Sequence, residues 1–217
     1  MNKISFLILL NLFVFTDIPL LQQSQLSEGV NNISTFIASD YFKEISTTAD
    51  DLALVDSIYL RALSFNNYDY SETLLALCFA TIPYKEVSIR IPLLNLIVNY
   101  PLMSASDSIY QMKNKNLPKD IYFDSPKNNF GDKDKLAHFF GSAFLSYNSL
   151  FFDLGSLFGY FVEAFEEDFK VQSSIDERDL ITNNLGNIFG RILKRNKKIL
   201  PSQVIIMHSL FNIRYSL

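Results

Sequence analysis

The stretch from Leu136 to Val162 carries only two ionisable side chains besides tyrosines, His138 and Asp153. A segment so poor in charge has to be buried, in protein or in lipid, because exposed helices need a charged or polar face. Helical periodicity divides residues 134–195 into segments at about 134–149, 151–170 and 177–195. The connections between them are short, and short connections make consecutive helices antiparallel. The last third of the chain is therefore expected to form an antiparallel three-helix unit. In the alternative reading, residues 136–162 enter lipid and the protein is integral to a membrane.

Composition narrows the function classes. Of 217 residues, 48% are hydrophobic and 19% charged, enough apolar material for a core and too much for a disordered chain. The formal net charge of −4 lacks the basic excess of a general nucleic-acid binder, so no nucleic acid is expected as a partner. A single cysteine, Cys78, excludes an intrachain disulfide and a cysteine zinc site; its apolar neighbours, Leu74 to Ala80, mark it as a core residue.

Residues 1–21 read as a signal peptide or anchor. Lys3 precedes an apolar run from Ile4 to Phe15, the shape of a secretory signal and short for a membrane span. The alternative is an ordinary buried helix. No cysteine follows the run, which excludes a bacterial lipid anchor there. Export implies a periplasmic or membrane-associated protein, with envelope components or a membrane surface as partners. The basic cluster Lys194, Arg195, Lys197 and Lys198 could face anionic lipid, or simply complement a helix C-terminus.

Residues 22–131 are expected to be an α+β region. Polar residues 22–50 suggest a linker or loose arm. A helix follows from Asp50 to Leu63, and a second, capped by Ser71, runs from Glu72 to about Thr81 before Pro83. Alternation of Val87, Ile89 and Ile91, then the run Leu93 to Tyr100, suggests a hairpin. Residues 104–133 read as a long connection, and 200–217 as a short final helix or strand. The expected fold class is α+β, mainly α: a small helix-plus-hairpin part ahead of a helical domain over 132–217.

The polar residues of that domain are patterned. Asp134, His138 and Gly141 share one helical face by spacing, as do Gly155, Gly159 and Glu163, and then Asp179, Asn183, Gly186 and Gly190. In an up-down-up arrangement the polar groups meet at one end and the glycines at the other, where missing side chains let backbones approach. Glu167, four residues after Glu163, is a further member. Carboxylates, an imidazole and an amide suit a divalent metal such as Mn, Fe or Zn, or a small ligand. The same groups could serve as acid and base in a metal-dependent hydrolase. The competing reading is structural: Asp134 caps its helix, Asp176 and Asp179 form a capping pair, and His138 with Glu163 forms a buried hydrogen-bond network.

These motifs carry a resemblance. Asp134-Lys135-Leu136-Ala137-His138-Phe139 resembles the D-K-x-x-H-F signature of the YfiM family, described as periplasmic lipoproteins of unknown function. Gly159-x-x-x-Glu163 is similar to that family's second element. Asp179-Leu180, Asn183, Gly186 and Gly190 resemble its third, and resemble still more the D-L-x-x-N-x-x-G-x-x-x-G end of VanZ-like membrane proteins. The likeness covers about residues 132–193. Val162 stands where YfiM proteins have Lys, and Asn183 where they have a second Asp. The resemblance implies a location in the bacterial envelope and no particular reaction.

Overall fold

Leu26, Val30, Ile33 and Ile37 recur at intervals of four, three and four, and this stripe folds the polar segment Leu20–Ala38 into a helix, α1. Val30, Ile33 and Ile37 are fully buried. The expected linker over 22–50 is thus corrected. Four apolar residues on one face outweigh the Gln, Ser and Asn around them. The short helix α2, Asp40–Ile45, follows, with Ser39 Oγ accepting the Phe42 N–H at 3.1 Å. The computed structural model describes residues 20–91, 96–149 and 177–215.

Asp50 starts α3, Asp51–Phe65, by accepting the Ala53 N–H at 2.8 Å. Its buried face is Leu54, Val55, Ile58, Tyr59, Ala62 and Leu63. The cap of α4, Tyr70–Thr81, is Asp69 rather than Ser71. Ser71 instead lies in the first turn, its hydroxyl bonded to Asn148 Oδ1 at 2.9 Å. Two strands, β1 (Glu86–Ile91) and β2 (Leu96–Pro101), pair antiparallel with Glu86 opposite Pro101 and Ile91 opposite Leu96. Among the described residues no third strand joins them. The architecture is mainly helical.

The long connection expected over 104–133 contains a helix, α5, Asp107–Asn116. Then come α6 (Lys135–Asn148), α7 (Glu177–Arg195) and α8 (Pro201–Tyr215), the last longer than the sequence pattern suggested. Proline at the first position of α8 costs nothing, since that N–H has no intrahelical partner. The segment 151–170, read as the second helix of the three-helix unit, lies outside the described residues, as do residues 1–19. Among the described residues no helix is long and apolar enough to cross a membrane.

Helix α1 packs on α3, α4 and α5; α4 also packs on α6; α6 packs on α7; and α8 closes against both α7 and α3. The buried cluster therefore runs without a break across residue 132. The Tyr59 ring meets Phe189 edge-on at 5.6 Å. Asp56 of α3 accepts both the N–H and the hydroxyl of Ser202, at 2.9 and 2.6 Å, and so satisfies the start of α8. The boundary drawn at 131/132 follows the family resemblance and marks no gap in packing. Two of the four basic residues near the end of α7 are held by this body. Lys194 bonds the Ser149 carbonyl, and the Lys197 ammonium lies 4.4 Å from the Tyr70 ring centre and 4.5 Å from that of Tyr147.

Lys113 is an unusual core residue. It is buried, and its ammonium donates to the carbonyls of Ala80 (3.0 Å) and Ile82 (2.7 Å) at the end of α4. Burial pushes its pKa down from 10.5 to about 7. Between these values the unfolded chain binds the extra proton, so folding stability rises with pH across that window and the burial penalty is fully present below it. Denaturant unfolding from pH 7 to 9.5 should show this rise. Lys113→Met should remove from the slope a component of up to about 1.4 kcal/mol per pH unit. Identical slopes in the two proteins would contradict the assignment.

Candidate functional site

The site grows out of the contact between α6 and α7. A Cβ on Gly186 would overlap the Phe139 carbonyl, and one on Gly190 would overlap that of Ala143. Both glycines are required because the two backbones touch. Phe139 and Ser142 lie beside Gly186, and Ala143 and Ser146 beside Gly190, so residue numbers increase together and the helices run parallel. Two hydrogen bonds cross the same seam. The Ser142 hydroxyl donates to Asn183 Oδ1 at 2.9 Å, and that of Ser146 to the Asn187 carbonyl at 3.0 Å.

A parallel pair places both N-termini at one end. Asp134 and His138 at the start of α6 there meet Asp179 in the first turn of α7. One donor atom from each lies within 4.8 Å of the others. His138 Nε2 is 3.6 Å from Asp179 Oδ2, too long for a hydrogen bond. The N-terminal dipoles of the two helices favour the carboxylates.

Lys135 joins the cluster, and reasoning from sequence passed over it. Its ammonium bonds Asp179 Oδ1 and also Asp134 Oδ2, the latter at 3.1 Å. Its side chain is 5% exposed, against 18% for Asp134, 11% for Asp179 and 17% for His138. The signal was present in the sequence: Lys135 opens a stretch almost free of charge, where a lone cation needs an anion.

Of the other expected members, Asn183 lies one turn deeper, bonded to Ser142. Gly141 is a close-packing glycine, but its neighbour is Cys78 of α4 rather than α7: a Cβ there would come within 3.1 Å of the Cys78 sulfur. Glu163, Glu167, Gly155 and Gly159 lie outside the described residues. The capping explanation of Asp134 is corrected. Asp134 occupies the N-cap position, yet its side chain makes no capping hydrogen bond, and its Oδ1 is buried without a hydrogen-bond partner. The Asp179 carboxylate is likewise taken up by Lys135.

A second charged group supports the site from behind. The buried Asp132 carboxylate accepts Arg178 Nη2 at 2.7 Å and the Ser125 hydroxyl. Arg178 Nη1 lies 2.9 Å from Asp124 Oδ2. Burial works against the Arg178 charge, but Asp132 and Asp124 more than offset it and raise its pKa. Tyr122, whose phenol burial pushes well above its usual range, shares a 2.8 Å hydrogen bond with Thr182. Together these contacts tie the 119–133 loop to the first turn of α7, immediately beside Asp179.

Comparison with protein-family models, curated proteins and solved structures found no match.

Chemically, among the described residues two carboxylates, one ammonium and one imidazole meet here. None of the four groups is a hydroxyl or thiol. Donors around an ion with bonds of about 2.1 Å sit roughly 3–4.3 Å apart, so Asp134, His138 and Asp179 need only a small inward movement to share one. They fit a cation once the ammonium between them is accounted for. Removing one charge of a buried ion pair is costly even though Lys135 keeps its bond to Asp134. Asp179→Asn should therefore cost about 3 kcal/mol in denaturant unfolding. A loss under about 0.5 kcal/mol would mean that the Lys135 pair does not hold α6 to α7.

Proposed function

We propose that this chain is a binding module of the bacterial cell envelope whose helical part takes a divalent transition metal at Asp134, His138 and Asp179. The observation that carries the reading is the convergence of these three donors at the shared end of α6 and α7, within 4.8 Å of one another. Two carboxylates and an imidazole are the donor set of Mn, Fe and Zn sites. The buried, unbonded Asp134 Oδ1 supports it, since most buried polar atoms have a hydrogen-bond partner.

The envelope location rests on the sequence, namely the apolar run after Lys3 and the likeness of residues 132–193 to YfiM and VanZ-like proteins. In this reading segment 151–170 completes an antiparallel three-helix unit with α6 and α7. Glu163 and Glu167 are its candidate further donors, and the paired strands belong to the appended N-terminal part. A hydrolytic role would additionally need a metal-bound water and a base from the same set.

Elemental analysis after loading the full chain with Zn or Mn and dialysing it tests the proposal. The expected result is close to one ion per chain. His138→Ala should lose the ion while keeping its circular dichroism spectrum. No retained ion in the parent, or equal retention in His138→Ala, would overturn it.

A further inference from the structure

The Lys135 ammonium stands where a bound cation would stand. It contacts one oxygen of each carboxylate in the donor set, and its side chain is nearly as inaccessible as the core. A metal ion and this ammonium cannot share the space. The ammonium offsets one of the two carboxylate charges and a divalent ion would offset both, and the two together would leave their positive charges in contact at low dielectric. Lys135 sits in the first turn of α6, with four methylenes between its backbone and its charge. Its head can therefore swing away from the carboxylates while the helix stays in place.

We propose that Lys135 is an internal competitor for the cation site: it holds the metal-free site near charge balance and must leave the carboxylates before a metal ion can bind. The inference rests on the metal reading above and deepens it. It also names the class of ion. An occupant must outcompete an ammonium already bonded to both carboxylates, so it needs a double charge and a strong bond to imidazole. Zn and its transition-metal neighbours meet both conditions. Mg and Ca, which favour oxygen donors and retain water, do not. The unbonded Asp134 Oδ1 is the acceptor that the ammonium leaves unused. It gives an arriving ion a first point of attachment.

The test is a Zn titration of the full chain against a chromogenic chelator, with the parent, Lys135→Met and Lys135→Gln. Competition predicts at least tenfold tighter Zn binding in both variants. It also predicts a melting temperature that falls in metal-free Lys135→Met, where two carboxylates face each other uncompensated, and recovers when Zn is added. The Gln variant keeps an uncharged hydrogen-bond donor group for the carboxylates and serves if the Met variant does not fold. Equal affinity in parent and variants would overturn the competition while leaving the metal site standing. Weaker binding in the variants would also overturn it, by making Lys135 a helper of the site. No Zn binding by any of the three would overturn the metal reading itself.

Discussion

Everything at the candidate site depends on how closely α6 and α7 approach. Gly186 and Gly190 leave room where a Cβ would meet the carbonyls of Phe139 and Ala143. Once the backbones touch, the relative register of the helices has little freedom, because an interior packed at crystal-like density does not tolerate a shift of even a methylene. That register carries Asp179 to Lys135 and His138. The polar end is thus positioned by the apolar end, and the Ser142–Asn183 and Ser146–Asn187 hydrogen bonds lock the seam between them.

The rest of the fold steadies this pair. Helix α4 supports α6 from the far side, where Cys78 fits against Gly141. Helix α8, capped by Asp56, wedges between α7 and α3. The 119–133 loop is fastened twice. Asp51 accepts the N–H groups of Lys119 and Asp120 at 2.8 and 2.6 Å, and Asp132 and Asp124 grip Arg178. The Asp51 and Asp132 carboxylates, half-buried and buried, are satisfied by specific donors, the arrangement in which polar groups specify one geometry rather than merely stabilise it.

Much of the helical plan was legible, because period and caps are local. Asp50 before Leu54 and Val55 marks the start of α3, and Pro83 the end of α4. Helix α1 was obscured because its stripe is only one residue wide and sits among Gln, Ser and Asn. Helix α5 was obscured because its buried anchor is a lysine, Lys113, whose charge reads as surface. At the site, spacing brought Asp134, His138 and Asp179 to one end, and glycine spacing foretold the close seam. Lys135 was missed because its partner on α7 is far away in sequence, and face-counting along one helix ignores a long side chain that reaches across to the next. The contact of Gly141 with Cys78 of α4 was not legible for a related reason: sharing a face with Asp134 within a helix does not say which helix lies opposite.

The central claim is that a cation site lies where Asp134, His138 and Asp179 converge, with Lys135 occupying it in the absence of metal. Anomalous X-ray diffraction at the Zn edge, on crystals of the full chain grown with Zn, tests it most directly. The account predicts an anomalous peak within bonding distance of Asp134, His138 and Asp179, with the Lys135 ammonium turned away from both carboxylates. Density showing Lys135 still bridging Asp134 and Asp179, with no peak beside His138, would contradict it and make the cluster a purely structural clasp between α6 and α7.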